Sequence, residues 1–315
     1  MFPRIGWRWT AALAAAGLLA APWAAAAGRE APRVCAILSQ DAAPYLEALE
    51  GFRGALRQAA PQATVEMVQA DGEVSRAEEA AGRCRAEGTS LILTLGTLAT
   101  QAAARRVSDL PIVAGLVLSP EDLGRGGNVT GVVLEFPVET ELRWLQRLLP
   151  GQKKIGVLFN APGNSDRIAS ATRAARALGL TLNARRLDSP RDLPIALDAL
   201  AADMDVLWGV ADQIVLNPQT ARPILLFSLR HRIPFVGLSE TWVKAGALYA
   251  LDRDYADIGA QCGEVAARLL QGASPASVPP ATPRRVVYSI NLKTARLLRI
   301  DLPPNLVQGA QAVIE

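Results

Sequence analysis

Short apolar runs alternate with amphipathic segments along most of this chain, and that alternation limits the fold more than any other feature. The apolar runs have the length of buried strands, whereas the segments between them carry apolar residues three or four positions apart, as helices do. Tyr45, Leu49, Phe52 and Leu56, for example, fall on one helical face. The pattern predicts an α/β fold with a mostly parallel sheet covered by helices.

The alternation comes in two series, and each predicts one lobe. Predicted strands of the first series lie at 34–38, 63–68, 91–95, 112–117 and 129–134; those of the second lie at 155–159, 180–187, 206–208 and 235–237. Helices are predicted from about 44 and at 73–86, 98–107, 138–149, 166–178, 192–201 and 218–230. The tail adds strands at 247–251 and 286–290 around a striped helix at 255–269. We expect two Rossmann-like, doubly wound lobes joined by a hinge of several crossovers: residues 28–135 plus about 250–283, and 136–249 plus about 284–315.

The first 27 residues are typical of a secretory signal peptide. A start containing Arg4 and Arg8 is followed by an apolar run and a small-residue exit that ends near Ala27. The apolar run is shorter than the roughly 20 residues that a membrane-spanning helix needs. We therefore expect an exported, periplasmic protein.

Export to an oxidising compartment makes the three cysteines of interest. Cys35 lies in the first predicted strand and Cys84 near the end of the second predicted helix. In a sheet of order 2-1-3 that helix crosses over strand 1, which brings the two thiols within reach. A disulfide and two buried free thiols are both compatible with this placement. Cys262 lies on an apolar helical stripe and is predicted to be core.

The sequence lacks the residue patterns that metal binding, phosphate binding and nucleophilic catalysis require. The chain has one His and a net charge of +3. It contains no metal-ligand spacing, no phosphate-binding loop and no nucleophile elbow, and the charge is too small to indicate a nucleic-acid partner. These observations favour binding of a small molecule over catalysis, with no metal and no cofactor.

In open α/β sheets, ligands bind beyond the carboxyl ends of the strands, so the residues that follow each predicted strand are candidate site residues. In the first lobe they are Ser39, Gln40, Gly96, Thr97 and Ser119, with Tyr45 in the helix that follows strand 1; in the second they are Asn160, Asp212, Glu240 and Trp242.

Each candidate has a binding role and a structural alternative. The N–H groups at helix starts suit a ligand carboxylate, Asp212 or Glu240 suits an ammonium group, and Tyr45 or Trp242 suits a flat apolar group. Each residue also has a structural role that would explain it equally well. Ser39 and Thr97 could cap helices, Asp212 could form a turn, and Tyr45 could lie in the core.

Several motifs resemble those of the ABC-importer substrate-binding proteins with the type I periplasmic fold, specifically the family whose better understood members bind tryptophan and related aromatic amino acids. The motifs are GNVTGV at 127–132, KIGVLFN at 154–160, Asn164-Ser165, GAL at 246–248, Asp254-Tyr255, Asn291 and Pro303-Pro304. The chain departs from the family pattern at Leu118-Ser119-Pro120, where Asp-Pro is usual, at Gln213 and at Leu251-Asp252.

The resemblance implies a ligand cleft between two lobes, closure about a hinge, and delivery of the ligand to a membrane permease powered by an ATPase. We expect a monomer, since the hinge must close. Two alternatives remain at this point: a periplasmic sensor that signals to a membrane receptor without transport, and, less favoured, an enzyme of unfamiliar type.

Overall fold

The computed structural model describes residues 31–124 and 126–315, and the predicted signal peptide lies outside them. The first lobe is built on a parallel five-stranded sheet of order β2-β1-β3-β4-β5. Its elements, in chain order, are β1 (Arg33–Leu38), α1 (Ala43–Ala59), β2 (Thr64–Gln69), α2 (Val74–Ala86), β3 (Leu91–Leu95), α3 (Thr97–Arg106), β4 (Ile112–Val117) and β5 (Val129–Val133). The predicted 2-1-3 order is confirmed.

The second lobe has a seven-stranded sheet of order β12-β11-β10-β9-β8-β6-β7, in which only the β10–β11 pair is antiparallel. Its elements are α4 (Val138–Leu148), β6 (Lys154–Phe159), α5 (Ala161–Ala177), β7 (Thr181–Arg186), α6 (Leu193–Ala201), β8 (Val206–Trp208), α7 (Pro218–His231), β9 (Phe235–Gly237), α8 (Glu240–Ala245), β10 (Tyr249–Arg253), β11 (Val286–Asn291), α10 (Leu292–Leu298), α11 (Pro304–Gln308) and β12 (Ala312–Ile314).

One helix of the tail, α9 (Tyr255–Leu270), returns to the first lobe and packs along α1. The approach is close because glycines lie at the contact. A Cβ atom on Gly259 would lie 1.8 Å from the Ala48 carbonyl oxygen, and one on Gly51 would lie 1.9 Å from the Ala256 carbonyl oxygen. The chain therefore passes between the lobes three times: after β5, after β10 and after α9.

Arginine side chains link the first two crossings and anchor the third to α9. Arg253, at the second crossing, donates from Nε to the carbonyl oxygen of Leu134 at the first (2.8 Å), and its guanidinium lies 4.7 Å from the Phe136 ring centroid. Arg284, at the third crossing, pairs with the buried carboxylate of Asp257 on α9 at 2.9 Å. Strand β10 belongs to the second sheet and ends at Arg253, so the second crossing follows this residue.

The predicted elements differ from the observed ones mainly where segments are short. Helix α8, which has six residues, and strand β12, which has three, are not among the predicted elements, since neither is long enough to show a periodicity. Helix α5 begins at Ala161 rather than at 166, because Pro162 occupies the first turn, where proline is tolerated.

The cysteines occupy two different environments. In the structure a disulfide joins Cys35 on β1 to Cys84 on α2, with the Cα atoms 6.1 Å apart. Cys262 is buried on α9 against β4, as predicted for a core residue. Burial raises the pKa of the Cys262 thiol to about 12, so this thiol stays protonated and unreactive. No helix in the described part of the chain is both long enough and apolar enough to cross a membrane.

Candidate functional site

Three of the predicted first-lobe residues meet where β1 and β3 end side by side. The Ser39 hydroxyl accepts a hydrogen bond from the Ala99 N–H in the first turn of α3 (3.0 Å). Gly96 has φ +96°, and a Cβ atom there would lie 2.5 Å from Ser39 Oγ and 2.9 Å from a ring carbon of Tyr45. A glycine is therefore required at this position. Ser39 therefore caps the start of α3, which is the structural role given above as the alternative to ligand binding.

The other first-lobe candidates lie at the same edge of the sheet. Gln40 is exposed, and Thr97 is the half-buried first residue of α3. Ser119 follows β4 and begins a single 3-10 turn. Its N–H and hydroxyl both lie within hydrogen-bonding distance of the Asp122 carboxylate, at 3.1 and 3.3 Å. This edge therefore presents backbone and side-chain polar groups in a fixed arrangement.

In the second lobe, Asp212 is a structural centre. One carboxylate oxygen accepts from the Asn160 N–H (2.6 Å) and from the Asn164 side-chain amide (2.9 Å). The other accepts from the N–H groups of Ile214 and Val215, both at 2.9 Å. The carboxylate thus shapes its own turn and ties it to the end of β6. This arrangement matches the turn-forming alternative for Asp212 and fixes the position of Asn160.

Glu240 and Trp242 also have partners within their own lobe. The Glu240 carboxylate pairs with Lys244 one helical turn away (2.7 Å). The Trp242 ring packs edge-on against Phe235 with centroids 5.6 Å apart, and its Cβ covers Gly237. Ligand contact by these two residues stays a prediction, and their observed role is in packing and surface pairing.

Sequence reasoning missed a charged cluster beside these residues. Arg167 on α5 binds both carboxylate oxygens of Glu141 on α4, at 2.8 and 2.9 Å, and also pairs with Glu135 at the first crossing. The Arg167 guanidinium lies 5.8 Å from the Trp208 ring centroid. Burial raises the pKa of Glu141, although Arg167 acts in the opposite direction.

This cluster forms one side of a pocket at the carboxyl ends of β8, β9 and β10. The cavity has a volume of about 50 Å³, well below the roughly 300–1,000 Å³ found for complete small-molecule sites. Its lining combines aromatic and apolar side chains with one acid and one guanidinium: Phe136, Glu141, Trp208, Gly209, Val236, Gly237, Leu238, Tyr249, Leu251 and Arg253. Such a lining suits a small ligand that has an apolar body and charged groups.

Within residues 31–124 and 126–315, no group of three His, Cys, Asp or Glu side chains is placed to hold a metal ion. Two of the titratable groups of the pocket are paired, Glu141 with Arg167 and Arg253 with a backbone carbonyl, and burial raises the pKa of the third, Tyr249.

Comparisons with known proteins agree with this geometry. The family model described as "ABC transporter substrate binding protein" matches residues 33–314. A tyrosine-binding protein of Clostridioides difficile is 25% identical over 244 residues, which are 74% of this chain and 70% of that protein.

Two solved structures, each 21% identical, cover 90% of this chain and 99% of their own. One is the ABC domain from Streptococcus pneumonia in complex with L-Trp, with a TM-score of 0.57. The other is the ligand-free, open form of a substrate binding protein with adhesive properties from Clostridium difficile, with a TM-score of 0.72. The expected two-lobed α/β fold is confirmed. The chain belongs to the ABC transporter substrate binding protein family, and it is a solute-binding protein rather than an enzyme.

Proposed function

We propose that this protein is the exported, periplasmic component of an ABC importer, and that it captures an aromatic amino acid between its two lobes. The first lobe would comprise residues 28–135 plus about 250–283, and the second residues 136–249 plus about 284–315. The protein would act as a monomer and pass its ligand to a membrane permease.

The observation that carries this proposal is the composition of the pocket. Phe136 and Trp208 supply aromatic surface, Glu141 supplies a carboxylate, and Arg253 supplies a guanidinium. A free aromatic amino acid has the matching parts, namely a flat ring, an ammonium group and a carboxylate. The names of the relatives, which specify tyrosine and L-Trp, support the same class of ligand.

The remaining candidates would complete the site from the facing edges of the lobes. Ser39, Gln40, Tyr45, Gly96, Thr97 and Ser119 would contribute from the first lobe, and Asn160, Asp212, Glu240 and Trp242 from the second. The start of α3 at Thr97 offers backbone N–H groups that suit the ligand carboxylate. Contacts to both lobes would favour the closed state, since only differential affinity for that state can drive closure.

Ligand binding is tested by calorimetric titration of the purified exported protein with L-tyrosine and L-tryptophan. Glu141→Gln should weaken binding at least tenfold. Glu139→Gln provides the matched control, because Glu139 lies on the same helix but pairs at the surface with Arg143. Absence of heat with every aromatic amino acid, or equal affinities for the two variants, would contradict the proposed site.

Transport is tested separately, by uptake of the labelled amino acid into cells with and without this protein. We expect uptake at low concentration to depend on the protein. A protein that binds the amino acid tightly yet has no effect on uptake would instead be a sensor.

A further inference from the structure

We infer that Leu118 forms the apolar wall of the first lobe against the side chain of the ligand, and that it thereby selects ligands with an apolar or aromatic side chain. The inference rests on the proposed function and adds a specificity-determining residue to it. Its basis is the local backbone of β4, the exposure of Leu118 and its link to the pocket.

Leu118 is exposed at the edge of the first lobe where ligands of such sheets bind. Its side chain is 65% exposed, although the residue directly before it, Val117, is fully buried at the end of β4. Single exposed apolar residues are common on protein surfaces, so exposure alone carries no conclusion. The position of Leu118 is informative, because this residue is the first beyond the carboxyl end of a central parallel strand, where ligands of such sheets bind.

The backbone that presents Leu118 is strained. Leu116 has φ +56°, a left-handed conformation that is uncommon for a leucine, and the pairing of β4 with β5 shifts between Gly115 and Val117. In a regular strand, residues 116 and 118 would share one face, and Leu116 is buried in the first-lobe core. The irregularity lets Leu118 leave that core side. Strain of this kind persists where the surrounding structure enforces it and clusters at ligand sites.

A short chain of contacts connects Leu118 to the pocket. Its carbonyl oxygen accepts a hydrogen bond from the Glu135 N–H at the first crossing (3.1 Å). The Glu135 carboxylate pairs with Arg167, and the next residue, Phe136, lines the pocket. Leu118 is thus hydrogen-bonded to the first crossing, at the residue directly before Phe136. Closure would bring it towards the aromatic lining and cover its exposed surface.

The test compares two serine variants of the purified exported protein by calorimetric titration with L-tryptophan and L-tyrosine. Leu118→Ser should weaken binding about tenfold, equivalent to about 1.4 kcal/mol at 25 °C, without lowering the melting temperature of the unliganded protein. Ile195→Ser is the matched control, since Ile195 is 71% exposed on α6, and it should bind like the wild type.

The outcomes separate the inference from the function on which it rests. If the wild type binds and Leu118→Ser binds equally well, the inference is overturned while the proposed function stands. A loss of melting temperature in unliganded Leu118→Ser would also overturn it, since Leu118 would then be a packing residue. If the wild type binds neither amino acid, the proposed ligand class fails and the inference fails with it.

Discussion

Replacing Asp212 by asparagine should destabilise the second lobe by about 3 kcal/mol. The carboxylate accepts four hydrogen bonds, two from Asn160 and Asn164 and two from the N–H groups of Ile214 and Val215. An asparagine amide has one oxygen and one NH2 group, so either orientation sets its NH2 group against two donors. Two hydrogen bonds to a charged acceptor are lost, each worth about 1.5–3 kcal/mol, and half-burial places the sum near the lower limit.

The assay is urea unfolding of Asp212→Asn, with melting temperature as a second measurement. A loss of about 3 kcal/mol corresponds to roughly 5 °C for a chain of this length, because the unfolding entropy is about 2.1 cal/mol/K per residue. Asp198→Asn on the exposed side of α6 is the control and should change stability by less than about 0.5 kcal/mol. Ligand affinity should also fall, because Asn160 loses its anchor. Equal stabilities of the two variants would refute the hydrogen-bond argument.

Three further predictions concern stability. Replacing both Cys35 and Cys84 by alanine should lower the unfolding free energy by about 4 kcal/mol, because the disulfide closes a loop with a sequence separation of 49 and so reduces the entropy of the unfolded chain. Equal urea midpoints for the variant and the wild type, or three free thiols in the unfolded wild type, would contradict the presence of the disulfide. Arg232→Gly should raise the unfolding free energy by about 0.5–1 kcal/mol, because Arg232 follows α7 with φ +54°, a left-handed conformation that glycine adopts without strain. Arg230→Gly, within the helix, should lower the unfolding free energy by about 1 kcal/mol, and calorimetry distinguishes the two variants. Burial raises the pKa of Glu141 in the folded protein, so the unfolding free energy of the wild type should fall as pH rises from the ordinary pKa of 4.5 through the raised pKa of the folded state. Glu141→Gln should lack that fall, and identical stability profiles of the two proteins between about pH 4 and 7 would contradict the prediction.

The sequence predicted the strands well because an apolar run that ends in a polar residue marks the carboxyl end of a buried parallel strand. The end of β3 at Leu95 and the start of α3 at Thr97 are examples. Short elements such as α8 contain too few residues for a period to be recognised. Pro162-Gly163 is compatible with either a turn or a first helical turn, and only the fold decides between them.

The sequence indicated which polar residues follow the strands at the edges of the sheets, but it did not indicate the charged cluster of Glu135, Glu141 and Arg167. Asn160 and Asp212 are both expected at one edge because each follows a predicted strand of the second lobe, but the hydrogen bond between them depends on the turn at residues 211–215. Glu139 and Glu141 occur on one amphipathic helix, and nothing local marks which of them is buried. That distinction comes from Arg167, which α5 places against Glu141 but not against Glu139.

The return of α9 to the first lobe determines when each half of the protein can be completed during synthesis. Helix α1 leaves the ribosome early, but the glycine-lined face that receives α9 stays uncovered until about residue 270 has been made. By then ten of the strands exist, yet the second sheet still lacks β11 and β12. N-terminal domains of multidomain proteins generally fold first and alone. Here the interleaved chain couples the two halves, so a ribosome-bound or truncated chain that ends before residue 270 should expose apolar surface on both.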